Sequence, residues 1–171
     1  VLRREHVFDS PVLIGNNDTT VWCECEKCRA LDAPEAKGTR GERSDRYWHM
    51  VNGLARRVWK VLPEARFSAW AYQDFWYPPR RVRPDPRIQV VVSYNNQCWR
   101  HAVDDPKCPV NAKFRDIYLA WKRAGVTDVV NRDEIGAWDG NGSPGCEFLP
   151  CETVLPRNFA AYPSIGCVGS S

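Results

Sequence analysis

Acidic residues stand just past several apolar runs of this chain, where a sheet-based enzyme presents its chemistry. Asp18 follows Val12-Leu13-Ile14-Gly15, and Asp133 and Glu134 follow Val129-Val130. Asp74 lies two residues past Tyr72, at the close of another run, and fits less well. Two carboxyl groups flanking a bond, one of them protonated, are the usual equipment for hydrolysing a glycosidic linkage. Asp18 and Glu134 are the favoured pair, with Asp133 beside the second. The plainer roles are a turn cap for Asp18 and an ion pair with Arg132 for Glu134. A substrate-assisted route, with one acid and a polarising neighbour, is also open.

Groups suited to holding a sugar cluster at the same places. Phe67-Ser68-Ala69-Trp70-Ala71-Tyr72 runs into Gln73-Asp74-Phe75-Trp76-Tyr77-Pro78-Pro79. Ile88-Gln89-Val90-Val91-Val92-Ser93-Tyr94 runs into Asn95-Asn96-Gln97-Cys98-Trp99-Arg100-His101. Tyr72, Asn95 and His101 can hydrogen-bond hydroxyls, while Trp99 and Trp138 can cover the apolar face of a ring. Arg100 and Arg132 can grip a carboxylate bidentately, which would suit a uronic acid. Trp70 and Tyr72 alternate onto one face of their strand, and Tyr72, nearer the strand end, is the one expected to reach a ligand. Trp59 and Trp121 are assigned to packing. A single histidine such as His101 is more often a structural hydrogen-bonder than a base.

The eight cysteines raise a rival reading. Cys98 and Cys108 bracket a loop rich in Asp and Pro, and Cys146 and Cys151 bracket a shorter one; both are candidate disulfides, with connectivity left open. Cys23, Cys25 and Cys28 form a CxCxxC. A structural disulfide or thiol cluster is the first reading of that motif. Structural zinc, with Cys167 or His49 as fourth ligand, comes second, and redox chemistry a distant third. A second CxxC knuckle, which a zinc ribbon needs, is absent.

Composition bounds the class. The chain has 171 residues, 43% hydrophobic and 26% charged, enough for one globular domain spanning residues 1–171. A net charge of +3 is too small to argue for nucleic acid, although Arg80, Arg81, Arg83, Arg87 and Arg100 make a local basic stretch. No run approaches the roughly 18 apolar residues of a membrane span. Nothing in the motifs calls for a cofactor. The sequence starts at Val1 and reads as a fragment or processed chain of something longer.

The elements that must position these residues alternate. Residues 11–15 read as a strand, 22–31 as a short helix, and 34–43 as a loop. Ser44 is expected to cap a helix with Asp45 in its first turn. Tyr47, Val51, Leu54, Ala55, Val58 and Val61 form its apolar face, and Pro63 stops it. The strands at 67–73 and 88–94 follow, joined by a Pro-rich stretch without helical period. A helix is predicted over 111–124, with Phe114, Ile117, Tyr118 and Trp121 inward and Gly125 at its C-terminal cap. A strand at 126–130, a weak helix after Pro156 and a strand opening at 166–169 complete the reading. Alternation of this kind argues for an α/β protein with mainly parallel strands. A full (β/α)8 barrel takes about 250 residues, so this chain would supply roughly half of one.

Several motifs, taken in order, resemble the bacterial family known as domain of unknown function 4838. They are Asn17-Asp18 with Trp22-Cys23-Glu24-Cys25-Glu26-Lys27-Cys28-Arg29-Ala30-Leu31-Asp32, then Ser44-Asp45-Arg46-Tyr47, Ala71-Tyr72 with Pro78-Pro79, Cys98 with His101, and Asp104-Asp105-Pro106-Lys107-Cys108-Pro109-Val110-Asn111. The resemblance covers residues 10 to about 124 and is looser beyond. It implies a glycoside-hydrolase-like TIM barrel, distantly similar to α-glucuronidases and β-hexosaminidases, in large bacterial proteins that are secreted or periplasmic. This chain would then be the later half of a barrel, with the missing half of that barrel and an oligosaccharide or polysaccharide as partners. The reaction is not established for the family, so the resemblance implies a fold and substrate class and no mechanism.

Three functions follow as expectations. One is a glycoside hydrolase acting on complex or uronic-acid-containing glycans. Another is a non-catalytic carbohydrate-binding or scaffold domain on the same fold. The third is a zinc-binding interaction module built on the cysteines.

Overall fold

The computed structural model describes residues 10–16, 18, 20–94, 96–132 and 153–170. Their elements, in chain order, are β1 (Val12–Ile14), α1 (Glu26–Arg29), α2 (Ser44–Trp59), β2 (Phe67–Ala71), β3 (Ile88–Val92), α3 (Pro109–Arg123), β4 (Val129–Asn131), α4 (Leu155–Ile165) and β5 (Gly169–Ser170). The strands form one parallel sheet in the order β1-β2-β3-β4-β5. In β1 and β2, Val12 stands opposite Phe67 and Ile14 opposite Ala69; in β4 and β5, Val130 stands opposite Gly169. A doubly wound sheet starts in the middle and reverses, whereas a (β/α)8 barrel adds each strand beside the last. The unreversed order is that of a partial barrel. Contacts divide the chain into two compact units, with the boundary between Val91 and Val92.

In the first unit, α2 supplies most of the core. Tyr47, Val51 and Ala55 are buried as their spacing predicts, but Leu54 is exposed, and Val61, also exposed, lies past the helix end. The buried stripe is turned towards Trp48, Asn52 and Trp59. Tryptophan outweighs leucine in area removed from water, so the two indoles set the helix rotation. The Trp59 Nε1–H donates to the Ala65 carbonyl (2.8 Å), and its ring meets Phe67 edge-on with centroids 5.5 Å apart. Asn52 is buried with partners: Nδ2 donates to the Arg83 carbonyl and Oδ1 accepts from the Asp85 amide.

Ser44 does not cap α2. Arg43 occupies that position without a side-chain cap, and the Ser44 hydroxyl donates instead to the Tyr77 carbonyl (2.6 Å). Asp45, 1% exposed, accepts from the amides of Arg80, Arg81 and Val82 at 2.9, 2.7 and 2.8 Å. These bonds explain how β2 and β3 are joined without a helix. The connection holds only a 3-10 turn, Gln73–Phe75, before the Pro-rich stretch. Such a stretch cannot satisfy its own amides, and one buried carboxylate accepts three of them.

In the second unit, α3 begins at Pro109, two residues before the predicted start, and proline suits a first helical position. Phe114, Ile117, Tyr118 and Trp121 are buried as predicted, and Gly125 takes a left-handed φ of 78° beyond the helix end. Phe114 packs against Tyr94, Tyr118 and Tyr162. At the end of β4, the buried Asn131 accepts from the Tyr118 hydroxyl (2.6 Å) and donates to the Tyr162 hydroxyl (3.2 Å). The strand predicted at 126–130 begins later, at Val129, and runs to Asn131 as β4. The short helix predicted over 22–31 is confined to α1.

Candidate functional site

β1 and β2 run parallel, so their C-terminal ends lie on one side of the sheet, and a polar cluster forms there. The Tyr72 hydroxyl donates to Asp18 Oδ1 (3.2 Å), and Gln73 Nε2 donates to the same oxygen (2.9 Å). Asp18 therefore makes tertiary bonds to the end of β2. Gln73 has φ 47°, a left-handed conformation that non-glycine residues seldom adopt without a compensating role. Its Oε1 is buried without a partner, and so is Trp22 Nε1. Both residues meet at Phe75, which ends the 3-10 turn begun by Gln73 and takes the Trp22 ring edge-on at 5.8 Å.

The support beneath this cluster is aromatic. Tyr47 stacks on Phe75 with centroids 4.2 Å apart. Its hydroxyl donates to the Ile14 carbonyl (2.7 Å) and accepts from the Trp70 amide (2.9 Å), so one phenol ties the two strand ends together. Burial pushes that phenol well above its ordinary pKa, and it stays a protonated strut. Gly15 leaves room for Trp70: a Cβ there would come within 2.9 Å of the indole. Asp74 faces Arg40 at 3.8 Å, and the same guanidinium lies 5.2 Å from the buried Trp76 ring. Asp18, by contrast, is oriented by neutral donors. Of the strand-end acids among the described residues, it is the one better placed for chemistry.

Among the predicted site residues, Asp18 and Tyr72 come together. Trp99 is 6% exposed, so it serves packing rather than offering a ring face to a ligand, as had been expected. His101 is exposed and belongs to a thiol cluster. The Arg132 amide donates to the Val92 carbonyl (2.9 Å), and its side chain is at the surface. Asn95, Asp133, Glu134, Trp138, Cys146 and Cys151 lie outside the described residues.

The sulfur atoms of Cys23, Cys25 and Cys28 lie within 4.8 Å of one another. All three are free thiols, at the surface or half-buried. Their loop is anchored from α2: Arg46 donates to the Cys23 carbonyl (2.6 Å) and to both oxygens of Asp32, which Arg43 also holds. Hydrogen bonds from the Cys28 amide, then from the Cys23 and Cys28 thiols, lower the Cys25 pKa. Cys28, donating to Cys25 and Cys23, is pushed up to about 11.

Cys98 and Cys108 are likewise free thiols, not the expected disulfide. With His101 they bring three donor atoms within 4.8 Å of one another, and Cys98 Sγ is 3.3 Å from His101 Nδ1. Burial raises the Cys98 pKa, but the Arg100 amide, the His101 ring and amide and the Cys108 thiol together bring it below the ordinary value.

Gln73, Trp22 and Tyr47 were not proposed as site residues from the sequence. The one available signal was that Gln73 directly follows Tyr72 at the end of an apolar run.

Parallel strands in unreversed order, with an oriented carboxylate, a tyrosine and a strained glutamine at their C-terminal ends, define an α/β protein of barrel-type winding with a strand-end site. Residues 6–162 match the family described as Domain of unknown function (DUF4838), and the chain belongs to that family. Comparison with curated proteins and with solved structures gives no match.

Proposed function

We propose that this protein is carbohydrate-active and hydrolyses a glycosidic bond in a complex or uronic-acid-containing glycan, in a secreted or periplasmic setting. The observation that carries this reading is the Asp18 carboxylate at the strand ends, held by Tyr72 and Gln73. A carboxylate fixed by neutral donors is oriented to face a developing positive centre or a water nucleophile. Glu134, by its place after β4, is the proposed partner acid, with Asp133 next to it, and Arg132 and Trp138 join the proposed binding groups.

The test is turnover of the protein in its full reading frame on a panel of neutral and uronic-acid-containing glycans. Asp18→Asn and Glu134→Gln should each lose about 100-fold or more in kcat, the size of effect general acid–base groups supply. Tyr72→Phe, losing one hydrogen bond, should lose about tenfold. Unchanged turnover in both acid variants would overturn the assignment.

A second reading, glycan binding without hydrolysis, is favoured by the exposed hydrogen bonds of Tyr72 and Gln73 to Asp18, groups that serve recognition as readily as chemistry. It is separated by one outcome: glycan retention by the wild-type protein with no product released from any member of the panel.

A further inference from the structure

The sequence suggested a disulfide between Cys98 and Cys108; the structure groups both free thiols with a histidine nitrogen. The three residues form a C-x2-H-x6-C pattern. We propose that Cys98, His101 and Cys108 bind a borderline-soft divalent cation of the zinc class, with water or an exogenous ligand completing the coordination.

Geometry and chemistry argue for it together. A tetrahedral zinc ion with bonds of about 2.3 Å to sulfur and about 2.0 Å to nitrogen sets its donors roughly 3.5–3.8 Å apart. Cys98 Sγ and His101 Nδ1 are 3.3 Å apart, and all three donor atoms lie within 4.8 Å. Two thiolates and an imidazole are a donor set that selects zinc over magnesium or calcium. The charges close as well. Each thiol gives up a proton on binding, and two thiolates neutralise a dication beside the buried Cys108. His101 binds through Nδ1 as the neutral ring, its proton on Nε2.

The loop is held in this shape from behind. Asn111, fully buried, accepts from the Cys98 amide (2.9 Å) and donates to the carbonyls of Cys98, His101 and Ala102 (3.2, 2.9 and 3.1 Å). Arg115 adds bonds to the Val103 and Asp105 carbonyls. Cys108 is the N-cap of α3, and its sulfur accepts from the Asn111 amide (3.4 Å), where the positive end of the helix favours a thiolate. Outer contacts that orient ligands before the metal arrives are a mark of built metal sites.

The experiment uses the full chain with Cys23→Ser, Cys25→Ser and Cys28→Ser, so that the other thiol cluster does not answer. Reduced protein is titrated with Co2+, then with Zn2+. One equivalent of Co2+ should produce a thiolate-to-cobalt charge-transfer band and tetrahedral d–d absorption, both abolished by Zn2+, with two protons released per ion. His101→Ala should weaken affinity about tenfold or more, and Cys98→Ser should remove most of the charge-transfer intensity. Both positions are away from the deep core, and an unchanged melting temperature of each metal-free variant verifies its fold. Absence of the band in the reduced protein, or equal affinity in both variants, would overturn the proposal. So would peptide mapping that joins Cys98 to Cys108 in protein that takes up no Co2+ after reduction.

Discussion

Cys25 and Cys28 are separated by two residues and answer differently to pH. The amide of Cys28 and the thiols of Cys23 and Cys28 donate to Cys25 and lower its pKa, while donation to Cys25 and Cys23 raises Cys28 to about 11. The thiolate is the reactive form. As pH rises from neutral, alkylation should therefore mark Cys25 first and Cys28 last, and mass spectrometry of peptides from short iodoacetamide pulses reads the order. Equal labelling below pH 9 would contradict the hydrogen-bonded arrangement. Asp18 and Tyr72 were legible in the sequence because each follows an apolar run, a position that strand geometry makes meaningful. Gln73, Trp22 and Tyr47 were not, because a left-handed φ, an unsatisfied indole and a phenol bridging two strands arise only from tertiary contacts. Trp99 misled for a related reason: an aromatic beside polar residues looks the same in sequence whether it faces a ligand or a core.

Helices α2 and α3 show what periodicity can and cannot fix. For α3, four large apolar residues at helical spacing leave one possible inward face, and that face is buried. For α2, two tryptophans and a satisfied Asn52 outweigh Leu54, so the stripe read from aliphatic residues is rotated, and Val61 falls beyond the helix end. The role of Asp45 was half legible: it sits in the first turn as expected, but its partners lie more than thirty positions along the chain. Asp45→Ala strands buried amides and should cost about 2–3 kcal/mol, by analogy with other buried groups deprived of a partner. Asp45→Asn, which keeps acceptor oxygen, should cost less. Urea unfolding with an unchanged m-value checks both. A loss confined to a few tenths of a kcal/mol would mean that the amides find other partners.

Across the molecule, the parallel α/β sheet of a partial barrel is the feature most fully anticipated, because alternating elements joined by crossovers leave few topologies open. The division between Val91 and Val92 was not anticipated, since no change of composition marks it. β1 ends the strand order and leaves Val12 and Leu13 each 43% exposed. On the proposal that the rest of a barrel covers this edge, a chain extended upstream through its reading frame should melt several degrees higher than residues 1–171 alone. Equal melting temperatures, with the shorter chain monomeric and cooperative, would argue against a missing half. The unreversed strand order has a further consequence, in time rather than space. A sheet whose strands pair in the sequence they are translated lets each new strand meet a partner already outside the ribosome. Nothing need wait for a later strand to be inserted between two earlier ones, so this topology can be assembled as it is made.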